Sequence, residues 1–408
     1  MADRLTHRVA VTGMGVVSPI GQSIDGFRAS LFAGRSGVGR ITLFDPATLP
    51  TRIAAEVPWR GEIMRDRKVT FACAAAAEAM ADAGRCGTAP AGPGGLSLGL
   101  GLELFSMDDL AARRAGAAVP DRARERLLHL QTPSDLAVSL LAHHHQLHEP
   151  PVTHVSACAA GTDAIGGAFR MIATGRRRWM MAGGADSMIN PLGVAGFCSI
   201  GATSTANDDP PRASRPFDRQ RAGFVLGEGA GILILERLED ARARGAAIHA
   251  EIAGYGASFD AHGISEPHPG GRGALQAMSR AIAEAGVSPD DIDAINAHGT
   301  GTPKNDTVET IAIRALLGAR AGQVPVSATK SMIGHLIAAA GAVEAIAAIL
   351  GMAASIVHPT INLEHPDPAC DLDYVAGTAR EHRQRCVLSS SFAFGGQNAS
   401  IVLRRADD

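Results

Sequence analysis

The stretch VTHVSACAAGTDAIGG, residues 152–167, places a cysteine between a β-branched run and a helix-like segment of small residues. Residues 152–155 predict a strand and residues 164–174 a helix, so Cys158 falls on the turn between them. The free N–H groups of a first helical turn favour negative charge, and we therefore expect a stabilised, nucleophilic thiolate. The alternative is that Cys158 is a small buried hydrophobe, as many free cysteines are.

The composition of the 408-residue chain is that of a soluble protein with a large core. It is 46% hydrophobic and 19% charged, and its net charge of −3 offers no field for nucleic acid or an anionic membrane. The six cysteines form no C-x-x-C pair and the N-terminus runs into a strand rather than a signal peptide, so we expect a cytoplasmic protein. The apolar run 336–357 is interrupted by Gly341, Glu344 and Gly351, which predicts a buried helix rather than a membrane span.

Strands alternate with helices along the chain, which predicts parallel βαβ units around a buried sheet. The run 250–256 resembles the opening strand 9–16, and each contains a pair of glycines. The sequence therefore predicts a duplicated α/β protein, with one half at residues 1–247 and the other at residues 248–408.

Two patterns in the sequence resemble binding sites only in part. The run 11–15 resembles a dinucleotide loop, but Ser18 and Pro19 stand where the third glycine and the following helix should be. The histidines at 143–145 and 148 have no nearby cysteine or carboxylate to complete a metal site, which favours a solvated helix end. We expect neither a nucleotide nor a metal at these places.

Two further turns are built like the Cys158 turn. The run NAHGTGTPKND, residues 296–306, puts His298 just after a strand, and SATKSMIGH, residues 327–335, puts His335 before an alanine-rich helix. Since ligands bind at the carboxyl ends of strands in α/β sheets, the three turns could meet at one pocket. One cysteine suits acyl transfer through a thioester, and two neutral histidines could stabilise the enolate formed as carbon dioxide leaves. Each histidine alone could equally be structural.

Four ordered motifs, SACAAG around Cys158, NAHGTGT around His298, TKSMIGH up to His335 and FAFGG at residues 392–396, together resemble a β-ketoacyl-acyl-carrier-protein synthase of the elongating Cys-His-His type. The resemblance covers essentially the whole chain. It implies the thiolase fold, an α/β arrangement of five αβαβα layers built from two similar halves. It also implies an acyltransferase that condenses an enzyme-bound acyl thioester with malonyl-carrier protein in polyketide, polyene or fatty-acid chain elongation.

The same resemblance implies catalytic roles. Cys158 would accept the acyl group, and His298 and His335 would bind the malonyl thioester carbonyl and promote decarboxylation. Lys330 would join Glu309 in a charge network that orients the histidines and keeps them neutral.

Binding roles follow from the resemblance as well. The backbone N–H groups of Cys158 and Phe394 would form the oxyanion hole, and the loop with Phe392 and Phe394 would gate the acyl pocket. Thr300 and Thr302 would hydrogen-bond the phosphopantetheine arm. The resemblance implies no bound cofactor, because 4′-phosphopantetheine arrives on the acyl carrier protein.

The resemblance also implies a dimer, either with a second copy or with a chain-length-factor subunit. A degradative thiolase is excluded, since neither Cys370 nor Cys386 stands in a Cys-x-Gly turn, and an initiating synthase would have Asn at position 335. A non-catalytic binding or scaffold relative stays open as the alternative.

Several positions depart from the housekeeping fatty-acid pattern. They are Ala159, Ala160, Asn305, Gln397, the segment 98–105 and the segment 134–136. The changes leave the catalytic residues intact and put the substrate in doubt. They favour a specialised synthase, such as the catalytic subunit of a type II polyketide or polyene system, over a homodimeric fatty-acid enzyme.

Overall fold

The computed structural model describes residues 5–64, 66–85, 94–101, 115–116 and 133–406. The strands in these ranges are β1 Val9–Val17, β2 Gly39–Arg40, β3 Ile53–Ala54, β4 Gly95–Leu100, β5 Val152–His154, β6 Trp179–Ser187, β7 Glu228–Arg237, β8 Ala250–Phe259, β9 Ala294–Asn296, β10 Val326–Ser327, β11 Ile356–Val357, β12 Arg380–Glu381, β13 Cys386–Phe392 and β14 Gln397–Arg404. The α-helices are α1 Ile24–Phe32, α2 Arg67–Asp82, α3 Pro133–His144, α4 Ala160–Ala173, α5 Pro191–Ser199, α6 Leu238–Ala243, α7 Arg272–Glu284, α8 Pro303–Leu317, α9 Lys330–Ile333 and α10 Ala340–Ala354.

The main sheet is mixed, and its strand order is β10-β9-β13-β14-β8-β1-β7-β6-β4-β5. Read outward from the central pair of β1 and β8, the two sides follow one plan. In the first half, β1 pairs with β7, the last strand of that half, and β6, β4 and β5 follow outward. In the second half, β8 pairs in the same way with β14, and β13, β9 and β10 follow outward. The predicted boundary near residue 248 falls between α6 and β8, where the plan starts again.

Neighbouring residues of the inner strands face different helical layers. In β7, Leu233 packs with α4 and α10, whereas Ile232 packs with α2 and α3. In β14, Ile401 faces the same α4 and α10 layer, whereas Val402 faces α7 and α8. Because successive side chains of a strand point to opposite faces, both halves of the sheet share the middle helical layer. The predicted five-layered αβαβα arrangement is therefore confirmed.

The predicted parallel pairing is right for the outer strands and wrong for the inner ones. β4 pairs in parallel with β5 and β6, and β9 pairs in parallel with β10 and β13. The pairs around β1, β7, β8 and β14 are antiparallel. Part of the reason is local, since residues 393–396 between β13 and β14 are enough for a hairpin and too few for a parallel crossover.

The apolar run forms α10 and the turn before it. Residues Ile337–Ala354 are long and apolar enough to cross a membrane, with a mean hydropathy of 2.0, but 89% of this window is buried inside the protein. The run packs so closely that a Cβ on Gly184 of β6 would lie 2.4 Å from the Ala338 carbonyl oxygen. This is the density of a protein interior, and the predicted buried helix is present in the shared helical layer.

Candidate active site

Three turns meet at one end of the sheet. Cys158 lies in a 3₁₀ turn, Ala157–Ala159, between β5 and α4. His298 follows β9, and His335 follows α9. The sulfur and ring nitrogens of the three side chains lie within 4.8 Å of one another, and each residue is at most 2% exposed. The structure thus brings together the three residues that the sequence placed on separate strand-to-helix turns.

The thiol is not the stabilised thiolate that its place before a helix predicted. Burial raises the pKa of Cys158 to about 11, against the lowering effects of the Phe394 backbone N–H and the Lys330 charge. Loss of solvent disfavours the charged form more than the helix start favours it. The resting thiol is therefore protonated at neutral pH and must lose its proton as it attacks.

Both imidazoles are neutral, and hydrogen bonds fix their tautomers. His298 Nδ1 accepts from Lys330 Nζ at 3.2 Å, and His335 Nδ1 accepts from the Ile337 backbone N–H at 3.2 Å. Burial, and then the Lys330 charge, lowers the pKa of both imidazoles well below 6.5. A neutral ring that accepts at Nδ1 carries its hydrogen on Nε2. Both rings therefore offer a donor, and that of His335 has no partner among the described residues.

Lys330 has an ion-pair partner that the sequence reasoning missed. Its Nζ donates to the carboxylate of Glu344 on α10, and both side chains are buried. Burial raises the pKa of Glu344 to about 7, against the lowering effect of the Lys330 charge. Glu344 is the one charged residue in α10. An isolated carboxylate in an apolar helix was the signal that could have identified it, because such a group is seldom buried without a partner.

Glu309 holds the His298 turn through its backbone. Its carboxylate oxygens accept the N–H groups of His298 at 2.7 Å and of Gly299 at 2.8 Å. Burial raises the pKa of Glu309 to about 7, while the Lys330 charge lowers it. The influence of Lys330 on Glu309 is thus one of charge, whereas its ion pair is with Glu344.

The hairpin between β13 and β14 brings a backbone donor to the thiol. The backbone N–H of Phe394 acts on the Cys158 sulfur and lowers the pKa of the thiol, as does the N–H of Cys158 itself. The Phe394 ring lies 6.4 Å from the Phe224 ring, which stands edge-on to His335 at 5.3 Å. Two N–H groups at a nucleophilic sulfur are placed to stabilise the oxyanion that forms when that sulfur attacks a carbonyl.

A cavity of about 310 Å³ reaches the thiol and both imidazoles. Thr300 and Thr302 line it, with their hydroxyl oxygens 3.0 Å apart. Phe392 lines it as well, with its ring 5.8 Å from that of His298. The wall thus combines hydroxyl groups with aromatic rings, which suits a thioester at the end of a polar arm.

The same three side chains form the one group in the described ranges whose ligand atoms could hold a metal ion. Their types would suit zinc, which takes cysteine and histidine ligands. The hydrogen bonds of the rings do not suit a metal, because Nδ1 of each ring already accepts a hydrogen bond and Nε2 carries the hydrogen, so neither nitrogen offers a free lone pair. The arrangement is built to donate hydrogen bonds rather than to coordinate a metal.

Some of the residues that distinguish the substrate pocket fall outside the described ranges. These are residues 102–105 of the altered segment, and the side chains at positions 134 and 135. Asn305 is described, lines the cavity and donates to Asp306 Oδ1 at 3.2 Å. This departure therefore lies on the path to the thiol.

Comparisons with known proteins match nearly the whole chain to one family. The sequence model described as "Beta-ketoacyl synthase, N-terminal domain" matches residues 6–241, and the one described as "Beta-ketoacyl synthase, C-terminal domain" matches residues 249–364. The 3-oxoacyl-[acyl-carrier-protein] synthase 2 of Synechocystis sp. is 42% identical over 99% of this chain and 100% of its own length. A putative polyketide beta-ketoacyl synthase 1 of Streptomyces cyaneus is 43% identical over 98% of each chain.

Two solved structures share the fold over nearly the whole chain. One is a type II PKS acyl-carrier protein in complex with its ketosynthase bound to the hexaketide, with a TM-score of 0.89, 32% identity, and coverage of 98% of this chain and 100% of that chain. The other is the ishigamide ketosynthase/chain length factor, with a TM-score of 0.87, 35% identity, and coverage of 98% and 99%. This chain belongs to the beta-ketoacyl synthase family, the acyltransferases that carry out elongating condensation in fatty-acid and polyketide synthesis.

Proposed function

We propose that Cys158 is the acyl acceptor of this condensing enzyme and that His298 and His335 are the donors that drive decarboxylation. The observation that carries the proposal is one thiol and a ring nitrogen from each of two neutral imidazoles within 4.8 Å of one another, in one cavity. The test is acyl transfer to Cys158 and carbon dioxide release, measured separately in variants of each residue.

In the first half-reaction the Cys158 sulfur attacks the acyl thioester of the carrier arm. The new carbon–sulfur bond forms first and gives an oxyanion, the bond to the arm then breaks, and the thiol proton ends on the departing arm thiol. The N–H groups of Cys158 and Phe394 stabilise the oxyanion between these events. The raised thiol pKa fits this order, since the proton is lost only when an acyl group is present.

In the second half-reaction the malonyl thioester carbonyl accepts hydrogen bonds from His298 and His335. The bond to the carboxylate breaks, carbon dioxide leaves, and the electron pair forms an enolate that the two donors stabilise. The enolate carbon attacks the acyl carbon on Cys158, and the released sulfur takes up a proton. The product is a β-ketoacyl thioester on the carrier arm.

We expect an acyl carrier protein to deliver both substrates, with Thr300 and Thr302 hydrogen-bonding its phosphopantetheine arm. One of the two solved relatives is a ketosynthase in complex with its acyl-carrier protein, which supports this partner. No separate cofactor enters the mechanism. The five cysteines that the structure describes are free, which fits the proposed cytoplasmic setting.

A second subunit is also part of the proposal. β5 lies at one end of the sheet and is followed by Val155, which is 71% exposed. An edge strand with an exposed apolar neighbour invites pairing with another chain. The other solved relative is a ketosynthase/chain length factor, which supports a heterodimer, whereas a second copy is the simpler alternative.

Native mass spectrometry separates these two assemblies. We expect the purified chain to form a heterodimer when it is co-expressed with a homologous subunit that lacks the cysteine, and to elongate malonyl units only in that form. A homodimer that extends saturated acyl chains unaided would instead assign the chain to fatty-acid elongation. The scaffold alternative predicts no condensation from either assembly.

Replacing Lys330 by methionine is expected to raise the pKa of His298. The Lys330 charge is, after burial, the main cause that holds this pKa below 6.5. A protonated His298 would place a positive charge beside the malonyl carboxylate and favour that charged group over neutral carbon dioxide. The rate of malonyl decarboxylation should therefore fall as pH drops through the pKa of His298. In the variant this acid limb should move up toward pH 6.5.

The pH profile of malonyl decarboxylation between about pH 5 and pH 8 measures this shift. The exposed Lys304 supplies a control, and its replacement by methionine should leave the acid limb where it is. An unmoved limb in Lys330→Met would show that Lys330 does not control the protonation of His298.

A further inference from the structure

The residue before the nucleophile has an unfavourable backbone conformation. Ala157 has a φ of 48°, in the left-handed region that non-glycine residues seldom adopt. Such a conformation is energetically unfavourable and persists where surrounding contacts hold it in place. The contacts that hold this turn therefore matter for the position of the Cys158 sulfur.

A carboxylate next to the turn supplies those contacts. Asp163, in the first turn of α4, accepts the Ser156 hydroxyl at 2.5 Å through one oxygen. Its other oxygen accepts the Tyr255 hydroxyl at 2.7 Å. Asp163 thus joins the residue that opens the strained turn to the helix that follows it. It does not line the cavity and is not needed there by the mechanism.

The phenol at the other side of this carboxylate belongs to the second half of the chain. Tyr255 lies on β8, and its ring fills the space where a Cβ on Gly166 of α4 would stand, at 2.2 Å. Arg170 of α4 stacks on the ring at 4.7 Å and pairs with Glu284 of α7 at 2.9 Å. Helix α4, which follows the nucleophile, therefore contacts the half that carries both histidines through a hydrogen bond at Asp163 and an ion pair at Arg170.

Asp163 acts on the thiol through the backbone rather than through its charge. The charged groups that shift the thiol pKa are Lys330 and Asp186, and Asp163 is not among them. Burial and the Asp163 charge raise the pKa of Tyr255 far above its usual value, so the phenol keeps its proton and donates. The Tyr255 phenol is thus a fixed hydrogen-bond donor to Asp163.

We propose that Asp163 is a positioning residue, which with Ser156 and Tyr255 holds the strained Ala157 turn and aligns the Cys158 sulfur with the histidine half. This inference rests on the proposed role of Cys158 as acyl acceptor. The role predicts a selective defect, because acyl transfer depends on the sulfur position, whereas decarboxylation depends on His298 and His335.

Asp163→Asn and Tyr255→Phe test the assignment, with Tyr374→Phe as the matched control. Tyr374 is the other tyrosine of the chain, and its hydroxyl bonds Thr310 at 2.6 Å, away from the nucleophile turn. The rate of acyl transfer from acyl-carrier protein to Cys158 is followed by intact mass, and the decarboxylation of malonyl-carrier protein is followed separately. Iodoacetamide alkylation of Cys158 across pH gives a third measurement that needs no carrier protein.

In both test variants we expect acyl transfer to slow by about 10- to 100-fold, the range that a small misplacement of a reacting atom produces. Decarboxylation should stay within about two-fold of wild type, since the histidines are untouched. Alkylation should slow without a change in its pH midpoint, and the control should match wild type in all three measurements.

Wild-type rates of transfer and alkylation in Asp163→Asn would overturn the inference, and so would an equal loss in both half-reactions, which a general folding defect produces. A wild-type protein that takes no acyl group on Cys158 would instead overturn the proposed function. In that case alkylation still decides whether Asp163 positions the sulfur.

Discussion

Cys158→Ala is expected to abolish the acyl-enzyme and to reduce condensation by at least about 10³-fold, because the described residues that line the cavity include no second thiol. Intact mass after mixing with acyl-carrier protein should show an acyl increment on the wild type and none on the variant. Carbon dioxide release from malonyl-carrier protein should continue, since both imidazole donors remain in place.

Cys386→Ala is the matched control for this prediction. Burial raises the pKa of Cys386 to about 11, as it does for Cys158, but Cys386 belongs to the core between the sheet and α7 and does not line the cavity. The control should therefore keep the acyl increment. An acyl increment that survives in Cys158→Ala, or disappears in Cys386→Ala, would contradict the assignment of the nucleophile.

His335→Ala is expected to slow malonyl decarboxylation by about 10²- to 10³-fold, the usual cost of removing one donor from an oxyanion site. Its Nε2–H has no partner among the described residues, so it is free for the thioester carbonyl. Acyl transfer to Cys158 should change much less, because that step uses the N–H groups of Cys158 and Phe394. The two half-reactions, measured separately, give the comparison.

His335→Asn gives the sharper comparison. The NH₂ group of an asparagine side chain can still donate to the carbonyl, so the decarboxylation rate of His335→Asn should lie between those of wild type and His335→Ala. Because burial keeps the imidazole neutral well below pH 6.5, the wild-type rate should not fall as pH is lowered from 8 to 6.5. Equal rates for Ala and Asn would show that donation by residue 335 is not what drives decarboxylation.

The sequence predicted which side chains meet at the site better than it predicted their pKa values. Cys158 and His298 could be found because each follows a strand in a short polar turn, and such turns converge at the carboxyl edge of a sheet. His335 could be found because its segment leads from β10 into an alanine-rich helix, although the short helix α9 stands between that strand and the histidine. The raised pKa of the thiol could not be predicted. The start of a helix is visible in the sequence, whereas burial of the thiol depends on distant segments that close over it. The ion pair of Lys330 with Glu344 was missed for the same reason, since it joins side chains on two different helices, α9 and α10.

The layers of the fold could be predicted from the sequence. The direction of the inner strands could not. Alternating strands and helices indicated the α/β class, and the echo between residues 9–16 and 250–256 indicated the repeat. The antiparallel centre depends on how β7 and β14 return beside β1 and β8, which no local pattern encodes. Asp163 likewise gave no signal in sequence, because its partner Tyr255 lies in the other half.

The most direct measurement is a chase of labelled acyl-enzyme. Wild-type protein is charged on Cys158 with an isotopically labelled acyl group, freed of donor, and mixed with malonyl-carrier protein. We predict that the label leaves Cys158 and appears in the β-ketoacyl group on the carrier, with one carbon dioxide released for each acyl group transferred. Label that stays on Cys158, or leaves as a free acid while carbon dioxide is released, would contradict condensation through the Cys158 thioester.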